Sequence, residues 1–445
     1  MKDNNDFTNK EHEKRGFLDT YTYESLNDNL DDKKNNTFIV EDNKEKAILV
    51  GTNTIEDLDE LGELLKTAGG IEVGRLVQNI TKVDSAYYIG KGKLMELLEE
   101  IQVKDAGLVV FDNELSGVQV RNIENEIRTK TIDRTQIILD IFAKRASSKE
   151  GKLQVELAQL KYLLPRLSGY GIEMSRVGAG IGTRGPGEQK LEVDRRKIRE
   201  RINGLERRIK QIKKHRRIQR KRRSELYNIC IVGYTNSGKS TLLNSLSGSN
   251  IHTEDELFAT LDPTTRKVQI DGKGIVITDT VGFIRNLPHD LINAFKSTLE
   301  EVTYADLLLH VVDGSVDYYE HQIEIVNEVL KGLKVYNKPI ILVINKIDKI
   351  DKNELAYFSD RNEDIIYISA KEKKNLEELV KRIGDYAKKE FEIIKLLIPY
   401  SETKLVSYLH EQGKIIEEEY KEDNIYIKGE FSVTVAGKIK EYIIT

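Results

Sequence analysis

The apolar run Tyr-Asn-Ile-Cys-Ile-Val at 227–232 leads straight into Gly233-Tyr234-Thr235-Asn236-Ser237-Gly238-Lys239-Ser240-Thr241 and then into the helical pattern LLNSL. No other segment restricts the fold as strongly. A G-x-x-x-x-G-K-[ST] loop works only between a buried strand and the start of a helix. Its backbone N–H groups must curl around phosphate oxygens while the helix turns its positive end toward them. The segment predicts an α/β domain with a mostly parallel sheet and a nucleotide site at the carboxyl end of the strand. Lys239 is expected on the outer phosphates and Ser240 on Mg²⁺.

Three further segments follow in order, each closing an apolar run. Asp279-Thr280-Val281-Gly282 ends GIVIT, which lets Asp279 reach the metal through water and the Gly282 N–H meet the γ-phosphate. Asn345-Lys346-Ile347-Asp348 ends PIILVI. A carboxylate there accepts both donors of the guanine edge, which adenine lacks, while the aliphatic stem of Lys346 covers the base. Ser369-Ala370-Lys371 follows IIYI and offers a backbone amide to guanine O6. Together they point to GTP and GDP with Mg²⁺ rather than to adenine nucleotides.

Between the phosphate loop and Asp279 lies Leu257-Phe258-Ala259-Thr260-Leu261-Asp262-Pro-Thr264-Thr265-Arg266. One threonine here should complete the magnesium shell while a γ-phosphate is present and go slack once it leaves. Thr260, Thr264 and Thr265 all qualify, and spacing does not choose among them. After Gly282 comes Phe283, where many GTPases carry a Gln that orients the attacking water. Intrinsic hydrolysis should then be slow unless a partner orders the site or another group holds the water. Packing against the sheet is an equally good account of the ring.

The rest of the chain divides by texture. Residues 1–44 are crowded with Asn, Asp, Glu and Lys, show no period beyond the short stretch Thr37 to Val40, and read as a disordered leader. From 45 to about 150, KAILVG, EDLDELGELLKTA, IEVGRLVQNIT, GKLMELLEEI and AGLVVFD alternate strands with helices and predict a small α/β domain. In 151–224, Leu153, Leu157, Leu160 and Leu164 form one helical stripe that Pro165 and Gly169 should end. From Glu188 a second stripe, Ile198, Ile202, Leu205, Ile209 and Ile212, forms a heptad seam. An antiparallel hairpin is expected, with seven glycines between Gly169 and Gly187, plus Arg176 and Arg184, in a mobile basic loop at its tip. Residues 225–393 hold the nucleotide-binding domain. In 394–445 a strand at Lys395 to Pro399, a helix around Leu405 to Leu409 and a hairpin from Lys414 to Ser432 predict a small α+β domain. The fold class is thus multidomain α/β.

Net charge is informative only once mapped. The total is −4, yet Lys190 to Arg223 carries seventeen Lys or Arg against four acids, a local +13, so the remainder carries about −17. A solvated helix face normally mixes signs. The run QIKKHRRIQRKRR is one-signed and repels itself unless it meets phosphates, which points to nucleic acid, and a rod with a Gly-rich tip suits folded RNA. A membrane surface competes weakly, because the Ile and Leu seam is better used within the hairpin. The lone Cys230 forms no intramolecular disulfide, no apolar run approaches the roughly 20 residues needed to span a bilayer, and no secretory leader is evident. The chain is expected in the cytoplasm without membrane insertion, leaving room for peripheral membrane association.

With these pieces assembled, residues 45 to 445 resemble the bacterial HflX GTPases, relatives of the Obg group. The resemblance rests on Tyr88-Ile-Gly-Lys-Gly-Lys93, Phe111-Asp-Asn-Glu-Leu-Ser116, Asp133-Arg-Thr-Gln-Ile-Ile-Leu-Asp-Ile-Phe-Ala-Lys-Arg-Ala146, Gly182-Thr-Arg-Gly-Pro-Gly-Glu188 and the nucleotide motifs. It implies a monomeric GTP hydrolase that associates with the large (50S) ribosomal subunit and its rRNA, in splitting or rescue of stalled ribosomes or in subunit maturation. It also implies Thr260 as the switch threonine on Mg²⁺ beside Ser240. Lys239, Thr260 and Gly282 are then the expected catalytic residues, with 233–241, 258–262, 279–282, 345–348 and 369–371 around the nucleotide. ATP binding by the N-terminal domain is a further implication, with Gly90-Lys-Gly-Lys93 as its only weak candidate and no site residues assigned. The alternative from a different class is a regulatory GTP-binding module that docks a protein partner through the hairpin.

Overall fold

The computed structural model describes residues 44–52, 58–80, 82–167, 186–223, 226–248, 257–258, 260–285, 296–335, 337–350, 364–388 and 391–444, with 186–191, 215–223, 296–298 and 434 described by backbone alone. The expected leader, the Gly-rich tip with Arg176 and Arg184, and Ala259 lie outside the described residues.

The N-terminal sheet contains β1 (Lys46–Gly51), β2 (Ile71–Val77), β3 (Leu108–Phe111) and β4 (Lys130–Asp133), all parallel in the order β2-β1-β3-β4. Helices α1 (Asp59–Ala68), α2 (Lys91–Lys104) and α3 (Gly117–Ile127) make the crossovers. Local chemistry sets their ends. Ser116 and Gln119 form a capping box at the start of α3, and Gly69 closes α1 in the left-handed region.

Asp133 ends β4 and begins α4 (Arg134–Arg145). Its carboxylate is fully buried and accepts from Gln136 N at 3.0 Å, Leu115 N at 3.0 Å, Tyr162 Oη at 2.7 Å and Arg166 Nη2 at 2.7 Å. One carboxylate thus caps α4 and anchors the far end of α5 (Lys149–Arg166) to the sheet.

Helix α5 and the long α6 (Pro186–Arg223) form the hairpin. Leu153, Leu157 and Leu160 pack against Ile202, Leu205 and Ile209, flanked by Leu164, Ile198 and Ile212, so the two stripes read from spacing meet as one core. Each such buried side chain contributes about 2 kcal/mol of apolar transfer. Arg201–Glu156 at 2.6 Å and Lys161–Glu206 at 2.7 Å cross the seam. Two end points differ from expectation. Pro165 lies inside α5, which runs to Arg166, because so near the end the one missing N–H bond is tolerated. Helix α6 begins at Pro186, where a first-turn proline loses nothing.

The central sheet has the order β10-β9-β8-β5-β7-β6. Its strands are β5 (Tyr227–Gly233), β6 (Thr264–Ile270), β7 (Lys273–Asp279), β8 (Leu307–Asp313), β9 (Ile340–Asn345) and β10 (Ile365–Tyr367), all parallel except the β6–β7 pair. Strands β7 and β8 are buried along their whole length, as their unbroken apolar runs require. Helices α7 (Lys239–Ser247), α8 (Lys296–Tyr304), α9 (Tyr319–Gly332) and α10 (Leu376–Lys388) complete this unit.

The C-terminal sheet is antiparallel, in the order β12-β13-β11-β14. It comprises β11 (Phe391–Pro399), β12 (Lys414–Tyr420), β13 (Asn424–Ser432) and β14 (Ile443–Ile444), with α11 (Thr403–Gln412) and α12 (Val433–Lys438) against it. Strand β11 starts earlier than Lys395, because Phe391 to Ile394 ladder with Ser432 to Gly429; the 393/394 boundary therefore falls inside it. Buried Lys273 joins the two sheets, 2.9 Å from Glu430 Oε2 and 4.6 Å from the centre of the Phe391 ring.

Candidate active site

The phosphate loop leaves β5 between β8 and β7, at the crevice where the strand order reverses. It borders a cavity of about 460 Å³ lined by Thr235, Lys239, Ser240, Thr260, Asp279 and Gly282 at one end and by Asn345, Lys346, Asp348 and Lys371 at the other. The separated sequence motifs therefore converge, the metal-type oxygens at one end and the base-type groups at the other.

Gly238 has φ 93°, and a Cβ there would sit 2.2 Å from Asn345 Nδ2. Glycine is required on both counts. Lys239 is buried, and its Nζ donates to Tyr234 O at 2.6 Å across its own loop. Burial pushes its ammonium down to about 8, against the attraction of Asp279. Burial likewise raises the Asp279 carboxyl, opposed by Lys239 and by hydrogen bonds from Ser240 and Thr260.

The three candidate threonines separate clearly. Thr260 Oγ1 lies 2.7 Å from Ser240 Oγ, which itself donates to Asp279 Oδ2 at 2.7 Å. Thr265 Oγ1 instead pairs with Thr278 Oγ1 at 3.2 Å across the β6–β7 ladder, and Thr264, which also lines the cavity, opens β6 opposite Asp279 without the contact to Ser240 that Thr260 makes. Asp279 Oδ1 is buried with no hydrogen-bond partner among the described residues. Hard oxygens from two hydroxyls and a carboxylate, one of them unsatisfied, fit Mg²⁺.

At the base end, Asn345 turns out to be a brace. Its Nδ2 donates to Ser237 O at 2.8 Å and its Oδ1 accepts from Ala370 N at 2.9 Å, tying the phosphate loop to the 369–371 segment. Lys346 adopts φ 63° and its ammonium meets Asp313 Oδ2 at 2.7 Å, which holds its stem in place. Ser369 Oγ donates to Asp348 Oδ1 at 2.6 Å and holds that carboxyl below its usual range. Ile347 continues the turn, its N–H donating to Ile368 O at 3.3 Å. Asp348 and Lys371 are exposed at the cavity rim.

Several expected residues use their side chains elsewhere. Phe258, Leu261 and Val281 are buried in a core shared with Ile137, Ile138 and Ile141 of α4, and the Phe258 ring stands edge-on to Phe142 at 4.7 Å. Thr280 Oγ1 donates to Ile231 O at 2.8 Å, and Ser237 is fully buried under the loop. Asn236 is exposed, with φ 59°, and Thr241 O accepts from Ser245 Oγ at 3.0 Å within α7. Asp262 accepts hydrogen bonds from Ser147 and Ser148 just before α5.

Tyr234 contributes only backbone to the loop. Its hydroxyl donates to Glu60 of α1 and accepts from Arg285 N at 2.8 Å. Glu60 also holds Arg285 Nε at 3.0 Å and contacts Arg134, whose Nη1 meets Asp112 Oδ1 at 2.6 Å. Spacing gave no warning of this cluster. Its only trace was Arg134 and Asp112 within two of the family-type stretches.

Three family profiles match the chain: "GTP-binding GTPase N-terminal" over residues 55–143, "GTP-binding GTPase Middle Region" over 145–223 and "50S ribosome-binding GTPase" over 228–346. The GTPase HflX of Caldanaerobacter subterraneus subsp. tengcongensis is 50% identical over 409 residues, covering 90% of this chain and 94% of the relative. The chain belongs to the HflX family of GTPases. The GTPase HflX of Escherichia coli K12 is 40% identical over 393 residues, covering 85% of this chain and 91% of the relative. A GTP-binding protein from the archaeon Sulfolobus solfataricus, solved in complex with GDP, is 28% identical, covers 77% of this chain and 98% of its own, and superposes with a TM-score of 0.41. As an HflX-family member the chain is a GTP-hydrolysing enzyme, with Mg²⁺ as cofactor and GTP and GDP as substrate and product. No helix among the described residues is long and apolar enough to cross a membrane.

Proposed function

We propose that this GTPase is a cytoplasmic, monomeric, ribosome-associated enzyme whose basic hairpin docks on the rRNA of the large subunit in a GTP-dependent way, acting in splitting or rescue of stalled ribosomes or in subunit maturation. One observation carries the reading. Asp262, two residues from Thr260, holds the start of α5, and α5 zips against the basic α6. The segment that should respond to the γ-phosphate is therefore hydrogen-bonded to the arm. Arg196, Arg199, Arg207, Arg208 and Lys210 are exposed along that arm, as phosphate contact requires. The matched profile described as a 50S ribosome-binding GTPase supports the same partner.

In this reading the loop 233–241 cradles the phosphates, Lys239 and the Gly282 N–H hold the γ-phosphate, and Ser240 and Thr260 would ligate Mg²⁺ with Asp279 behind them. Mg²⁺, when bound, neutralises charge on the β- and γ-phosphate oxygens. Asp348 accepts from the guanine edge, Lys346 covers the base, and the Ala370 region closes over O6. Loss of the γ-phosphate frees Thr260 and with it the restraint that Asp262 passes to the hairpin.

Co-sedimentation with purified large subunits, in a non-hydrolysable GTP analogue or GDP and across a salt series, tests the proposal. Binding should favour the analogue and weaken steeply with salt. Binding indifferent to both would instead favour a GTP-controlled module with a protein partner. Replacing the basic residues of 213–223 with Gln should weaken subunit binding and leave guanine-nucleotide affinity intact.

A further inference from the structure

The glutamine that orients water in many GTPases has no counterpart in Phe283. Its ring is 2% exposed, packed with Cys230, Val232, Leu299 and Val302 on the far side of the strand layer. The phenyl group is a core residue and leaves the cavity wall beside Gly282 to another side chain.

The backbone identifies that side chain. Thr235 N donates to Phe283 O at 2.7 Å and Phe283 N donates to Gly233 O at 3.1 Å, so the phosphate loop and the segment after Gly282 run clamped in parallel. A Cβ on Gly282 would lie 2.8 Å from Thr235 Cγ2 and 3.0 Å from Lys239 Nζ. Thr235, through its Cα and Cγ2, and Lys239, through its Nζ, thus flank Gly282, the glycine assigned to the γ-phosphate. Thr235 lines the cavity and is 6% exposed, yet its Oγ1 has no hydrogen-bond partner among the described residues. The loop's other buried hydroxyl without a partner among the described residues, Ser237 Oγ, lies 3.0 Å from where a Gly233 Cβ would stand and lines no part of the cavity. A buried hydroxyl is ordinarily satisfied; one left open beside a reacting centre is available to a molecule that arrives with the substrate.

We propose that Thr235 Oγ1 is the side-chain group that orients the attacking water in this enzyme. The inference rests on the assignment of the phosphate loop as the GTP site. The water oxygen bonds to the γ-phosphorus as the bond from that phosphorus to the β–γ bridging oxygen breaks. The bridging electron pair leaves with GDP, and the water proton passes to the departing phosphate. Thr235 gives or accepts one hydrogen bond, keeps its own proton balance and is not consumed. A neutral hydroxyl aligns water without polarising it strongly, which is consistent with the slow intrinsic turnover expected where the glutamine is missing.

The test compares Thr235→Val, Thr235→Ala and Thr235→Ser in the full chain. Each is followed by single-turnover GTP hydrolysis, by affinity for a fluorescent non-hydrolysable GTP analogue, and by capture of GDP with aluminium fluoride. Val and Ala should lose roughly 10- to 100-fold in the hydrolysis rate and lose aluminium fluoride capture, with analogue affinity within about twofold of the parent. Ser should restore most of both. Undiminished hydrolysis in Val and Ala, or a loss of analogue affinity matching the loss of rate, would overturn the assignment. Lys239→Ala serves as the separate control. Normal turnover there would sink the site assignment itself, independently of Thr235.

Discussion

Asp262 holds the doorway between the nucleotide cavity and the helical arm through Ser148. Its carboxylate accepts from Ser148 N at 2.7 Å, Ser147 N at 3.1 Å and Ser147 Oγ at 2.8 Å, and also from Ser148 Oγ. Ser148 is in turn the N-cap of α5, its Oγ accepting from Gly151 N at 2.9 Å. A carboxylate at the positive end of an 18-residue helix is stabilised by the helix as well as stabilising it. Burial would raise this carboxyl, but the hydrogen bonds from Ser148 and Ser147 hold it below its ordinary range.

Asp262→Ala should free the first turn of α5 from the nucleotide state. Wild-type amides of residues 151–154 should exchange more slowly with a GTP analogue than with GDP, and the variant should lose that difference. The stability cost should be about 1.5–3 kcal/mol by denaturant titration, the range for hydrogen bonds to a charged group. Because the folded-state pKa is lowered, this contribution is present above the unfolded value and lost as pH falls through the folded one. A variant that keeps the nucleotide-dependent exchange would show that Asp262 does not transmit it.

Lys239→Ala should abolish GTP hydrolysis, as measured by phosphate release. The parent should also show a pH signature. With the free ammonium near 8, and restored toward its ordinary range by bound phosphates, nucleotide binding above pH 8 takes up one proton. Affinity should then fall by about tenfold per pH unit from 8 toward 10. Calorimetry in buffers of different ionisation enthalpy reads that proton directly; zero uptake at pH 9 would contradict the assignment.

Glu60 bridges Tyr234 of the phosphate loop, Arg285 just past Phe283 and the buried Arg134. Glu60→Ala should cost about 1–3 kcal/mol, the range for leaving buried hydrogen-bonding groups without a partner, because Asp112 still pairs with Arg134 at 2.6 Å and with Arg285 at 3.5 Å. Glu60→Gln should cost less, since the amide oxygen still accepts. Equal stability of the parent and the Ala variant in urea would mean the cluster is not holding α1 to the loop.

His310 lies in β8, paired in register with Val232, and its Nε2 has no partner among the described residues. Burial first, and repulsion from Lys239 second, push it down to about 4. The unfolded chain therefore binds a proton that the folded one refuses between pH 6.5 and 4, and stability present above 6.5 is lost as pH falls through that window. The loss should approach 3 kcal/mol, from about 1.4 kcal/mol per pKa unit. His310→Gln should flatten the urea midpoint against pH over this range; an unchanged slope would remove His310 as its source.

What could be read along the chain was what short spacing encodes. The phosphate loop, the Asp279, Asn345 and Ser369 segments at strand ends, and the Leu153 to Leu164 stripe facing Ile198 to Ile212 were legible because each depends on residues within one or two turns or one strand. Where several residues share the needed chemistry, the neighbours decide. Thr260 and Thr265 carry the same hydroxyl, yet one meets Ser240 and the other Thr278. Asp262 and Tyr234 look like nucleotide-segment residues on paper, but their side chains serve Ser148 and Glu60.

The sequence by itself determined a guanine-nucleotide site on a parallel sheet, a basic helical hairpin and the absence of a water-orienting glutamine, since these follow from local periodicity, charge and side-chain inventory. Only the tertiary structure decided which threonine stands by Ser240, that the Phe283 ring is turned into the core, that the N-terminal domain is tied to the phosphate loop through Glu60, and that the arm is tied to the segment after Thr260 through Asp262. Those contacts join residues 114 to 225 positions apart, and no local propensity reports on them. They exist because burial leaves each polar group only the partners that packing brings within reach.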